Sequence, residues 1–205
     1  MSNRPVKLGV LISGSGSNLQ AIINKCEAGE LPAQVAVVIS SRSDAYGLER
    51  AKSCNIPAIY IAREKFPNDV AYNRAVLDKL QEYGTELVVM AGYMRLLGKE
   101  VLDAYPNRVM NIHPALLPSF AGAHGIKDAL DYGVKVTGVT VHFANDIYDE
   151  GPIILQDAVP IQEGDTEDTL AERIHAVEHV IYPRAIKLYC EGKLEIEGKK
   201  VRIKE

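Results

Sequence analysis

The chain has 205 residues, 47% apolar and 24% charged, the profile of a folded globular protein long enough to bury a sizeable core without cross-links. Its net charge of −4 gives no basic footprint for nucleic acid and no polybasic anchor for a membrane. Cys26, Cys54 and Cys190 are odd in number and far apart, which argues against a disulfide framework or a zinc site and for a reducing, cytoplasmic setting.

From the start, Met1–Lys7 is polar and Leu8–Ile12 is too short an apolar run for a signal peptide or a membrane span. Short β-branched runs then recur at Val6–Ile12, Gln34–Ser40, Ala58–Ile61, Glu86–Met90 and Arg108–Ile112. Between them, Asn18–Glu27, Ala45–Cys54, Asp69–Tyr83 and Lys99–Ala104 carry helical periodicity. Strand and helix alternating in this way predict right-handed crossovers and an open, doubly wound α/β fold, mostly parallel, with helices on both faces and a Rossmann-like amino-terminal half. The strand runs are continuously apolar, as expected where a sheet is covered on both sides.

The texture changes after Asn111. Pro114–Gly125 is too rich in proline and glycine for a regular element. Val134–Ala144 and Pro152–Pro160 read as two longer strands, and Asp168–Tyr189 as a long helix with Leu170, Ile174, Val177, Ile181 and Leu188 along one face. Asp165–Thr166 offers the cap for that helix, and Lys193–Lys204 reads as a charged hairpin around Gly198. With no repeat or linker, the expectation is a single domain, 1–205, made of halves 1–110 and 111–205.

Two clusters carry chemistry. Gly14-Ser15-Gly16-Ser17-Asn18 follows the first strand and opens the first helix. Backbone N–H groups at a helix start, at the positive end of its dipole, bind anions, and the serines and Asn18 add donors. The third small residue of the dinucleotide fingerprint is missing, as is a Walker lysine, so a single phosphate is favoured. The alternative is that these glycines serve only the turn. The second cluster is Asn111-Ile112-His113-Pro114 at the carboxyl end of the fifth strand, where open α/β sheets hold their ligands. In an extended strand Asn111 and His113 project to one side. An amide donor beside an imidazole suits acyl transfer, one stabilising an oxyanion while the other moves a proton. The loop around Asp146, Asp149 and Glu150 supplies carboxylates that could hold the histidine charged, with a solvated acidic turn as the alternative. His142 alone reads as a structural histidine that supports this loop. His175 and His179, one turn apart, lack a third ligand, and no metal is expected.

Three segments now give a resemblance: Gly14-Ser15-Gly16-Ser17-Asn18-Leu19-Gln20, Asn111-Ile112-His113-Pro114-Ala115-Leu116-Leu117-Pro118, and His142-Phe143 through Asp149 to Gly151-Pro152. From Lys7 to Tyr189 the chain resembles the phosphoribosylglycinamide formyltransferases, folate-dependent enzymes of purine biosynthesis. The resemblance implies Asn111, His113 and Asp149 as catalytic residues, and Gly16, Ser17 and Asn18 with Glu178 as substrate-binding ones. It implies Met94, Arg95, Leu96 and Leu97, with the backbone at Ala144, Asn145 and Asp146, as the pterin pocket, and Phe120–Gly125 as the loop between the sites. The two halves would then be a phosphate-binding half and a catalytic, folate-binding half. The implied substrates are 10-formyltetrahydrofolate and glycinamide ribonucleotide, with no metal, nucleic acid or membrane, in a cytoplasmic monomer or homodimer. The Asn-x-His-Pro-x-Leu-Leu-Pro string also occurs in methionyl-tRNA formyltransferases and formyltetrahydrofolate hydrolases. The former carry a further nucleic-acid-binding domain and the latter a further amino-terminal one, and neither is read in this chain. A ligand-binding module without chemistry is the remaining alternative.

Overall fold

The computed structural model describes residues 4–204; the polar start at Met1–Asn3 lies outside them. The chain forms two compact units, Met1–Met110 and Asn111–Glu205. In the first, strand β1 (Val6–Ile12), helix α1 (Ser17–Glu27), β2 (Ala33–Ser40), α2 (Tyr46–Ser53), β3 (Ala58–Tyr60), α3 (Asp69–Glu82), β4 (Leu87–Met90) and α4 (Lys99–Leu102) follow one another. The fifth strand, β5 (Val109–His113), spans the division, and the first unit's strand order is β3-β2-β1-β4-β5. β1 pairs parallel with both β2 and β4, and β2 with β3.

This is the doubly wound order, in which the chain reverses its direction of travel between β1 and β4. Right-handed crossovers running opposite ways put α1 and α2 on one face and α3 and α4 on the other. The period of two along β1 serves both faces. A Cβ on Gly9 would meet Leu80 of α3 at 2.4 Å, whereas Ile12 reaches Gly47 of α2. Leu8, Val10, Leu11, Ile12, Val37, Val38, Ile39, Leu87, Val88 and Val89 are all shut off from solvent, which is why these runs are apolar without alternation.

The second unit adds α5 (Gly125–Tyr132), β6 (Val136–Phe143), β7 (Ile153–Pro160), α6 (Glu167–Cys190), β8 (Leu194–Glu197) and β9 (Lys200–Ile203), with strand order β5-β6-β7-β9-β8. β6 with β7 and β8 with β9 are antiparallel, while β7 meets β9 in parallel. α5 is a helix that periodicity alone does not assign. It is only eight residues long and ends at Gly133 in the left-handed conformation, leaving too short a window for the apolar pattern to register.

The buried face of α6 runs through Leu170, Ile174, Glu178, Ile181, Tyr182, Ala185 and Ile186, so Val177 and Leu188 stand at its margins rather than in it. Pro183 lies inside this helix without ending it. Packing on both sides of the proline outweighs the lost backbone hydrogen bond. Among the described residues no helix is long and apolar enough to cross a membrane.

Candidate active site

β5 ends on Asn111 and His113, and the ring of His113 is only 3% exposed. Its Nε2 lies 2.8 Å from the carbonyl oxygen of Phe120. A carbonyl only accepts, so Nε2 carries the proton of this bond. Nδ1 faces Asp149 Oδ2 at 3.4 Å, so both ring nitrogens look onto acceptors. Nδ1 is therefore the edge left for chemistry, with Nε2 acting as the anchor.

Asp149 is 8% exposed, and its Oδ2 accepts from the Gly122 amide at 3.0 Å. Oδ1 has no hydrogen-bond partner among the described residues and lies 3.6 Å from His142 Nε2, an electrostatic distance rather than a hydrogen bond. Burial, the largest influence, pushes the Asp149 carboxyl up. The Gly122 amide, which donates to Oδ2, and the His113 ring beside it outweigh it, and the carboxyl is held below its ordinary range.

His142, buried on β6, orders the third member. Its Nδ1 is 3.0 Å from the carbonyl of Phe143, so Nδ1 bears the proton and Nε2 offers a lone pair. That lone pair accepts from Asn111 Nδ2 at 3.1 Å, which orients the amide and leaves its second N–H unspent. Sequence alone reads His142 as structural, and the tie to Asn111 is legible only once β5 and β6 are neighbours.

The turns around this cluster are strained. Phe120 and Asp149 hold φ of 52° and 56°, left-handed values that bulky and charged residues rarely adopt. Such strain persists where the surroundings over-determine it, and here it delivers the Phe120 carbonyl and the Asp149 carboxylate to one ring. Gly151 closes the acidic turn: a Cβ there would stand 1.7 Å from the carbonyl of Phe143. The passage after His113 is pinned by Thr140, whose hydroxyl donates to Ala115 O at 2.7 Å and accepts from Leu117 N at 3.0 Å and Gln156 Nε2 at 2.9 Å. Gln156 also donates to Leu117 O at 3.0 Å. Nothing in the sequence singles out Thr140 or Gln156, which look like ordinary strand residues.

The structure thus brings Asn111, His113 and Asp149 together. The other sequence candidates stand on other elements. Gly16 caps α1 with φ 71°, followed by Ser17 and the buried Asn18. Met94 and Leu96, after β4, are 67% and 71% exposed, Arg95 lies over the Tyr72 ring at 5.4 Å, and Leu97 is buried. The Met94 amide donates to Ser13 Oγ at 2.9 Å, which ties this segment to the end of β1. Glu178 is buried on α6. Ala144, Asn145 and Asp146 follow β6, where Asn145 Oδ1 accepts from the Ile147 amide at 3.1 Å. His175 and His179 stack with centroids 6.4 Å apart, and no group of three candidate metal ligands occurs among the described residues.

A carboxylate-backed imidazole beside an oriented amide is equipment for stabilising an oxyanion and moving a proton. The family model for formyl transferases matches residues 6–186, which span both units. The chain belongs to the formyl transferase family. Within that family it is 42% identical over 191 residues to phosphoribosylglycinamide formyltransferase of Haemophilus influenzae, covering 93% of this chain and 90% of that one. It is 53% identical to the crystal structure of glycinamide ribonucleotide transformylase 1 from Symbiobacterium toebii, with a TM-score of 0.98 over 100% of this chain and 96% of the other. A formyltetrahydrofolate deformylase from Pseudomonas syringae pv. tomato is similar in structure at lower identity. It is 25% identical with a TM-score of 0.91 over 98% of this chain but only 67% of that one. The fold is therefore common to proteins named for transfer and for deformylation, and the acceptor has to be argued from the site.

Proposed function

We propose that this formyl transferase moves the formyl group of 10-formyltetrahydrofolate to the amine of glycinamide ribonucleotide, giving formylglycinamide ribonucleotide and tetrahydrofolate in purine biosynthesis. The observation that carries the reading is the placement of His113 between the Phe120 carbonyl and Asp149, beside the half-used amide of Asn111.

The amine of the ribonucleotide attacks the formyl carbon, forming the new C–N bond and placing negative charge on the formyl oxygen. The free N–H of Asn111 and the Nδ1–H of His113 donate to that oxygen. Asp149, whose Oδ2 faces His113 Nδ1, takes the proton shed by the attacking nitrogen through a bridging water and returns it to the folate nitrogen as the old C–N bond breaks. No side chain is acylated, so the protein's contribution is positioning and fixed charge.

Gly16, Ser17 and Asn18 receive the substrate phosphate at the start of α1, and Glu178 holds a polar group of the same substrate. Met94 and Leu96 present apolar side chains to solvent, a surface suited to the pterin, while Leu97 anchors them and the backbone at Ala144, Asn145 and Asp146 reads the pterin edge.

A spectrophotometric assay with a 10-formylated folate, run with and without glycinamide ribonucleotide, tests this. Folate release that depends on the ribonucleotide is expected. Release without it would make the chain a deformylase, and no release under either condition would leave a binding module.

A further inference from the structure

We infer that α2 is a clamp that shapes the phosphate loop, with Arg50 and Gly47 as positioning residues for anion binding; the inference rests on the reading of Gly16–Asn18 as a phosphate site. Two consecutive carbonyls of the loop are held from α2. The Gly47 amide donates to Gly14 O at 3.1 Å, and Arg50 Nε donates to Ser15 O at 2.8 Å. In a trans peptide the C=O and the following N–H point in opposite directions. Fixing the Gly14 and Ser15 carbonyls toward α2 therefore turns the Ser15 and Gly16 N–H groups away from it. There they join the amides at the start of α1, whose first N–H groups have no partner within the helix. Consecutive amides aimed to one side form a nest for an anion.

The clamp is built for close approach. A Cβ on Gly16 would stand 2.6 Å from Gly47 Cα, and one on Gly47 would stand 3.2 Å from Gly16 Cα and 2.5 Å from Ile12 Cδ1. Glycine at both places lets two backbones touch, and at Gly16 it also permits the φ of 71°. Arg50 is steadied from beneath by Tyr46, one turn earlier on α2, whose ring centroid lies 4.9 Å from the guanidinium carbon. Its Nη1 reaches toward Gln20 Oε1 of α1 at 3.4 Å. Nε, spent on the Ser15 carbonyl, is the donor through which Arg50 orients the loop.

The experiment compares the full-length wild type with Arg50→Met and Arg50→Lys, measuring ribose 5-phosphate binding by calorimetry and the steady-state constants for both substrates. In both variants the ribose 5-phosphate dissociation constant and the KM for the ribonucleotide should rise about 10-fold or more, since a charge-assisted bond to the loop is lost. The kcat and the KM for the folate should stay within about two-fold of wild type. Tyr46→Leu, at an exposed position, should raise the same two constants about three-fold by loosening Arg50. Unchanged phosphate affinity in Arg50→Met overturns the clamp. So does a lysine variant equal to wild type, because charge alone would then suffice, and so does a kcat that falls as far as KM rises. A wild type that binds ribose 5-phosphate but transfers no formyl group would sink the proposed function and leave the clamp standing.

Discussion

The ring of His113 is anchored at one nitrogen by a backbone carbonyl and faced at the other by a buried carboxylate, so each partner has a separable effect. Removing the imidazole takes away an oxyanion donor, and His113→Ala should lose about 10²–10³ in kcat while keeping the wild-type circular dichroism spectrum below its melt. Asp149→Ala should lose at least as much, because it removes both the carboxylate facing His113 Nδ1 and the proton relay. Steady-state rates and circular dichroism melts on the purified variants check both; wild-type kcat in either takes that residue out of the chemistry. Asn111 and His113 are legible from sequence because β5 is extended and its side chains alternate. The work of His142 is not legible, since its partner Asn111 comes from a different strand.

At the scale of elements, the passage from Pro114 to Gly125 is irregular, and its order comes from β6 and β7 rather than from itself. Thr140 makes one donated and two accepted hydrogen bonds there, and is wholly buried. Thr140→Val keeps the shape but strands Ala115 O and Leu117 N, and should destabilise the protein by about 2–6 kcal/mol, at roughly 1–3 per unsatisfied buried group. Urea denaturation measures this, and a loss under about 1 kcal/mol would mean the loop finds other partners. The long helix α6 shows the same division. Its cap at Thr166, with Thr169 reciprocating, is readable from local chemistry, whereas its passage through Pro183 depends on what packs around it.

Over the whole molecule, the fold tunes carboxylates below their ordinary range, Asp165 and Asp149 among them. Asp165 is held well down chiefly by its two-pronged pairing with Arg173, at 2.8 and 3.0 Å, with help from the Gln162 amide and Thr169. Asp149 is lowered less simply, against its own burial. A group depressed in the folded state stabilises it fully above the unfolded value, about 4 for an aspartate, and loses that contribution as pH falls through the folded value. The melting temperature of the wild type should therefore fall steeply below about pH 4. Asp165→Asn should melt lower than wild type at pH 7 and approach it as the pH drops through that window. A gap between the two that stays constant from pH 7 to pH 2, followed by thermal melts, would show that the Arg173 pairing carries no linkage (roughly the span over which aspartates titrate).

The alternation of apolar runs and helical periods set the doubly wound class, because burial on both faces and right-handed crossovers act on local pattern and chain order alone. The same holds for the Gly14–Asn18 turn and for Asn111 with His113, whose meaning lies in their spacing and in which end of a strand they follow. What tertiary structure decided was which groups meet. The oriented amide of Asn111, the short helix α5, and the hold of α2 on two loop carbonyls join residues distant in sequence or too few to carry a period, and the Phe120 carbonyl meets His113 through an irregular passage. A hydrogen bond between distant residues leaves no trace in composition, since each partner alone has several equally good ways to be satisfied, and only the packed fold selects one.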